Sequence, residues 1–244
     1  MKWFKMGTII GPDIITRGLV LALDAGTDRS WNNNIATTWY DVSGNGNNAN
    51  NQGGVSDTQA IFNSEGYFNL TEAANVFFLI PGLNNFFFGT TLGIEFWIKN
   101  TGGDYRAIIQ NSDNSSASSD TVDVRFGRED YYGGSNNGTR CNFIIKCNGS
   151  SKSAAFPVAL NVWTHVHISY SGTAIKIYLN GSLFSSATEN NVDIDTVAND
   201  MKLFRHYNTG EDLVNPFANI KLYKTILSAA EVLQNYNQTK NKFI

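Results

Sequence analysis

Residues 163–187 read WTHVHISYSGTAIKIYLNGSLFSSA, and the alternation inside this stretch decides the fold. Successive side chains of a strand point to opposite faces. Val166, Ile168 and Tyr170 therefore share one face, and His165, His167 and Ser169 the other. The chain turns at Ser171–Thr173, after which Ile175, Ile177 and Leu179 alternate with Lys176, Tyr178 and Asn180. Asn180–Gly181 is the dipeptide that two-residue hairpin turns favour, because both positions tolerate positive φ. The stretch is thus a meander of three antiparallel strands. His165 and His167 read as polar residues on an outer or subunit-facing sheet surface. A metal would need a third ligand, and the one remaining histidine is His206.

The same period recurs outward from this centre. In TLGIEFWIKN (91–100), Leu92, Ile94, Phe96 and Ile98 oppose Gly93, Glu95, Trp97 and Lys99. Further strands are expected in GLVLALDAG (18–26), on both sides of a turn at Asn63–Gly66, in VDVRFGRED (122–130), in CNFIIKCN (141–148), in DMKLFRHY (200–207) and in ANIKLYKTIL (218–227). Ser228 followed by Glu231, with Val232, Leu233 and Tyr236 behind them, predicts a capping box and one short C-terminal helix. Parallel α/β architectures need crossover helices, and none is encoded. The predicted fold is all-β, a two-sheet antiparallel jelly-roll sandwich with one helix at its end.

The 244 residues suit one large domain, taken as residues 19–244, preceded by an arm over residues 1–18. A net charge of -3 and the lack of any basic block argue against nucleic acid. Apolar runs are broken too early to span a bilayer, so membrane insertion is not expected. The N-terminus lacks the apolar core and cleavage site of a secretory signal. Cys141 and Cys147, six residues apart on one strand, would sit roughly 20 Å from each other. Two free thiols are expected, since a disulfide needs Cα atoms within about 7 Å.

Four blocks resemble the laminin G-like and concanavalin A-like jelly rolls. The first is Trp39, Asp41, Ser43, Gly44, Asn45, Gly46 and Asn47 in TTWYDVSGNGNNAN. The second is TLGIEFWIK. The third is Trp163 with Tyr178, Asn180 and Gly181. The last is Ile220, Leu222, Tyr223, Leu227, Ser228 and Glu231. They follow the family's order and span most of residues 18–240. The N-terminal ITRGLVLALDAG also looks like virion proteins of tailed bacteriophages. That second resemblance implies a non-enzymatic structural or decoration module, surface-exposed on a virion assembled in the host cytoplasm. Its partners would be a homo-oligomer or other virion proteins, with host surface polysaccharide as a further ligand. The alternative is a dedicated carbohydrate-binding adhesin, lectin-like and calcium-assisted. A glycoside hydrolase comes third, because the carboxylate pair such chemistry needs is not found at the spacing related enzymes use.

Candidate sites follow from these readings. Exposed rings beside amide-rich loops bind sugars, which singles out Tyr131 and Tyr132 with Arg128, Asp130, Asn136 and Asn137. An apolar arm and excess phenylalanines mark an interface at Trp3, Phe4, Met6, Ile9, Ile10, Phe77, Phe78, Phe86, Phe87 and Phe88. No cofactor is required. Ca2+ is the one ion the loops could hold, through hard oxygen donors at Asp24, Asp28, Asp41 and Asn45. The plainer role for those four is turn formation.

Overall fold

The protein is described by a computed structural model. It describes residues 13–31, 37–52, 60–63, 66–70, 77–83, 86, 89–102, 106–111, 122–126, 139–147, 149–188, 193–195, 200–205 and 213–244.

Two eight-stranded antiparallel sheets form the body. The first contains the meander: β12 (Trp163–Tyr170), β13 (Ala174–Leu179) and β14 (Ser182–Thr188). It continues from β12 through β7 (Leu92–Lys99) and β16 (Phe217–Tyr223) to β5 (Tyr67–Leu70) and β4 (Ala60–Asn63). β1 (Leu19–Asp24) also pairs with β16. The second sheet runs in the order β11 (Ser150–Pro157), β10 (Arg140–Cys147), β9 (Val122–Phe126), β8 (Arg106–Asn111), β15 (Met201–Leu203), β6 (Phe78–Ile80), β3 (Ala49–Asn51) and β2 (Thr38–Trp39).

The meander closes as its sequence dictates. Asn180 and Gly181 both have positive φ, 50° and 78°. The Asn180 side chain also accepts the His165 backbone N–H at 3.0 Å, which ties the turn to β12. β12 pairs with β7 so that Val166 faces Phe96 and Ile168 faces Ile94. These four, with Ile175 and Ile177, lie in one buried cluster shared by both sheets. Burying each such side chain contributes about 1.5–3 kcal/mol, which makes this interior the main source of stability. Cys141 and Cys147 are buried and free, and burial pushes the Cys141 thiol up.

Two expected interface residues belong to this interior instead. Phe78 is fully buried on β6, where its ring packs against Trp39 and Phe68, and Phe86 is 5% exposed in the same apolar cluster. Phe77 is half-buried beneath the Arg205 guanidinium, 4.0 Å from its ring centre. Trp3, Phe4, Met6, Ile9, Ile10, Phe87 and Phe88 lie outside the described residues.

Helix α1 (Ala229–Thr239) follows β16. Its capping box is complete, with the Ser228 hydroxyl accepting the Glu231 N–H and the Glu231 carboxylate accepting the Ser228 N–H. Arg17 extends the box through a 3.0 Å ion pair to Glu231. Residues 13–18, read as part of an arm, therefore lie against the helix. The Ile15 N–H donates to Asn235 and the Gln234 amide donates to the Asp13 carbonyl.

Candidate functional site

The second sheet presents a polar outer face. Cross-strand partners share a face, so the register places Ser153, Ile144, Asp123, Gln110, Lys202, Leu79, Asn50 and Thr38 in one transverse row. Ala155, Asn142, Arg125 and Ala107 form the row beside it. At the centre, Gln110, Asp123, Arg125 and Asn142 are all at most 3% exposed. Polar side chains rarely reach that burial without partners. Asp123 and Arg125 form an ion pair there. Asp123 is the single carboxylate on this face among the described residues. Acid–base glycosidic cleavage needs two.

The chain between Phe126 and Thr139 carries Arg128, Asp130, Tyr131, Tyr132, Asn136 and Asn137, all outside the described residues. Its two anchor points are adjacent, because Phe126 pairs with Cys141. That connection therefore leaves and returns beside Arg125 and Asn142, themselves a cross-strand pair.

Three of the four expected cation donors are engaged in holding loops. The Asp41 carboxylate accepts the N–H groups of Ala22, Ser43 and Asn47 and the Ser43 hydroxyl. The Asn45 amide donates to the Leu19 carbonyl and to the Ser43 hydroxyl. Asp24 accepts the Gly26 N–H and pairs with Lys242 at 3.3 Å. Asp28 is exposed. Among the described residues there is no group of three or more His, Cys, Asp or Glu that could hold a metal.

His165 and His167 are on the outer face of the first sheet, as their alternation requires, but α1 covers them and both are fully buried. Glu95 lies between them. Its carboxylate accepts the Lys221 ammonium and the Asn235 amide, each at 2.8 Å, with His165 at 3.5 Å and His167 at 3.4 Å. Burial works to raise the Glu95 pKa. The Lys221 ammonium and the two imidazoles more than offset this and hold the carboxyl well below its ordinary range. Burial pushes the His165 imidazole down despite the neighbouring carboxylate. The sequence pattern marks these side chains as outward-facing; what covers them depends on where the helix docks.

Comparison with solved structures returns this sandwich. The receptor-binding domain of botulinum neurotoxin mosaic serotype C/D superposes with a TM-score of 0.62 at 18% identity, over 92% of this chain and 52% of that one. The serotype G binding domain gives 0.62 at 22% identity, over 89% and 50%. The serotype D ligand-binding domain in complex with N-acetylneuraminic acid gives 0.60 at 16% identity, over 92% and 52%. The chain spans about half the length of these structures. At such identities the likeness is one of fold. The matched structures are themselves described as binding domains.

These matches correct the bacteriophage reading. They are toxin receptor-binding domains, so the virion module, its homo-oligomeric or virion partners and its assembly in a host cytoplasm are withdrawn. Within ITRGLVLALDAG, Leu19–Asp24 form β1, which pairs with β16. No curated protein matches the chain. A family profile does, over residues 72–233, which hold the strands from β6 to β16 and the first turn of α1. The chain belongs to the laminin G-type family of the concanavalin A-like lectin/glucanases superfamily.

Proposed function

We propose that the protein is a non-catalytic recognition module that binds glycan on the outer face of its second sheet. The observation that carries this reading is the polar row across that face, in which half-buried Ser153, Lys202, Asn50 and Thr38 flank Gln110, Asp123, Arg125 and Asn142, buried groups that hold the row in place. Hydroxyls, an amide and an ammonium are groups that exchange hydrogen bonds with sugar hydroxyls. Tyr131 and Tyr132, on the connection anchored beside them, would supply the stacking surface. Membership of a lectin and glucanase superfamily supports the ligand class. The similar solved structures include a receptor-binding domain and a ligand-binding domain in complex with N-acetylneuraminic acid.

The test is a glycan array followed by titration of the best ligand with the wild type, Asn142→Ala, Gln110→Ala and the Tyr131→Ala/Tyr132→Ala pair. Each variant is expected to bind at least about ten-fold more weakly, the equivalent of about 1.4 kcal/mol. Unchanged affinity in folded Asn142→Ala and Gln110→Ala proteins would remove the site from the second sheet.

A further inference from the structure

Helix α1 rests on a polar layer rather than an apolar one. Beneath it, Glu95 from β7 meets His165 and His167 from β12, Lys221 from β16 and Asn235 from the helix itself. Asn235 also donates to the Tyr223 hydroxyl, and the Trp97 indole N–H donates to Thr239 at 2.8 Å. Tyr236 stacks on Trp97 with ring centres 5.8 Å apart. A small apolar cluster of Tyr178, Tyr223, Leu227 and Val232 completes the contact.

The layer is charge-balanced only while both imidazoles are neutral. Glu95 is matched by Lys221, and none of the four ring nitrogens of His165 and His167 has a hydrogen-bond partner of good geometry. A proton added to His165 would put a second cation beside the one carboxylate of this layer, which Lys221 already matches, in a site closed to water, and that is unfavourable. The other titratable or charged groups facing this space do not relieve it. Tyr178 and Tyr223 have phenols pushed up by burial. Lys176 on β13 and Lys240 at the helix end add positive charge. The Glu231 carboxylate is held by Ser228 and Arg17 at the far end of the helix. Tyr236 presents its ring, to Trp97 and to His165.

We infer that α1 is an acid-releasable latch: proton uptake by His165 undocks the helix from the first sheet while the sandwich stays folded. The sheets retain their shared apolar interior, to which the imidazoles contribute nothing. The direction follows from linkage. A buried histidine whose folded pKa lies below its ordinary 6.5 binds fewer protons docked than released. Docking is therefore fully stable above the ordinary value and weakens as pH falls from 6.5 towards the lowered one.

Hydrogen exchange tests this on the intact chain. Between about pH 7.5 and about pH 5, protection factors of residues 229–239 should fall at least ten-fold more than those of β12 and β7, with about ten-fold expected per pH unit titrated. The His165→Gln/His167→Gln variant should lose that difference. Helix protection that tracks the sheets across the range, or a double variant with the wild-type acid response, would overturn the inference. Should the double variant not fold, the imidazole titration of the wild type by NMR decides. His165 must take up its proton in the interval where the helix loses protection, and titration elsewhere overturns the inference.

Discussion

Asp41 shows how one side chain can resemble a ligand and act as a fastener. Its carboxylate gathers three backbone N–H groups from Ala22, Ser43 and Asn47, and Asn48 returns a bond to its own N–H. The loop with positive φ at Gly44 and Gly46 is thereby pinned to β1. Asp41→Ala strands those donors, and each unsatisfied group costs about 1–3 kcal/mol when water cannot reach it. Because Asp41 is half-buried, water replaces part of the loss and a total of about 2–3 kcal/mol is expected in urea unfolding. A fastener of this kind predicts the same loss with calcium present or chelated. A loss that appears in calcium alone would make Asp41 a metal ligand. Asp24 and Asn45 are further turn-holding side chains of the same end of the sandwich, in keeping with the turn-forming habit of Asp and Asn.

At the scale of the element, α1 and the Asn180–Gly181 turn depend on each other. A Cβ on Gly181 would come within 2.9 Å of Leu233 Cδ1 and 3.0 Å of Tyr236 Cδ1. Gly181 also needs its positive φ, which costs an L-residue about 1 kcal/mol. Gly181→Ala should therefore cost about 2 kcal/mol in all and reduce the protection of α1 more than that of β7. Ser228→Ala, by contrast, removes only the cap and should cost about 1 kcal/mol, measured by the same unfolding experiment. The cap, the helix and the hairpin turn are all readable in the chain because each is set by neighbouring residues. The inward faces of β7, β12 and β13 are readable because one apolar face buried between sheets imposes a period of two. β11 is not, since SSKSAAFP, an edge strand, needs no apolar alternation. The row of Asp123, Gln110 and Lys202 is equally hidden, because it exists only once β9, β8 and β15 lie side by side in a particular register. The covering of His165 and His167 is a docking event between elements remote in sequence, for which no local pattern exists.

At the scale of the whole molecule, a sandwich of two open sheets must leave edges, and the two ends of the helix-bearing and polar-faced sheets are treated differently. β11 closes one edge of the second sheet with Lys152 in its course and Pro157 at its end. Charge and proline are the usual means of blocking further strand pairing. β14 closes one edge of the first sheet with SLFSSAT, seven uncharged residues without proline, and Leu183 and Phe184 are 54% and 48% exposed on it. Among the described residues no strand pairs with its outer side, which leaves a template for another strand. Concentrated protein should accordingly aggregate through this edge under conditions where the sandwich is folded. Phe184→Lys places a charge there and removes an exposed ring. It should change the unfolding free energy by no more than about 0.5 kcal/mol, as surface substitutions do, while lengthening the lag before light scattering rises. A Lys152→Ser variant of the opposite edge should shorten that lag. If Phe184→Lys aggregates as fast as the wild type, association proceeds through another surface, and the exposed Leu160 and Val162 before β12 become the next residues to charge.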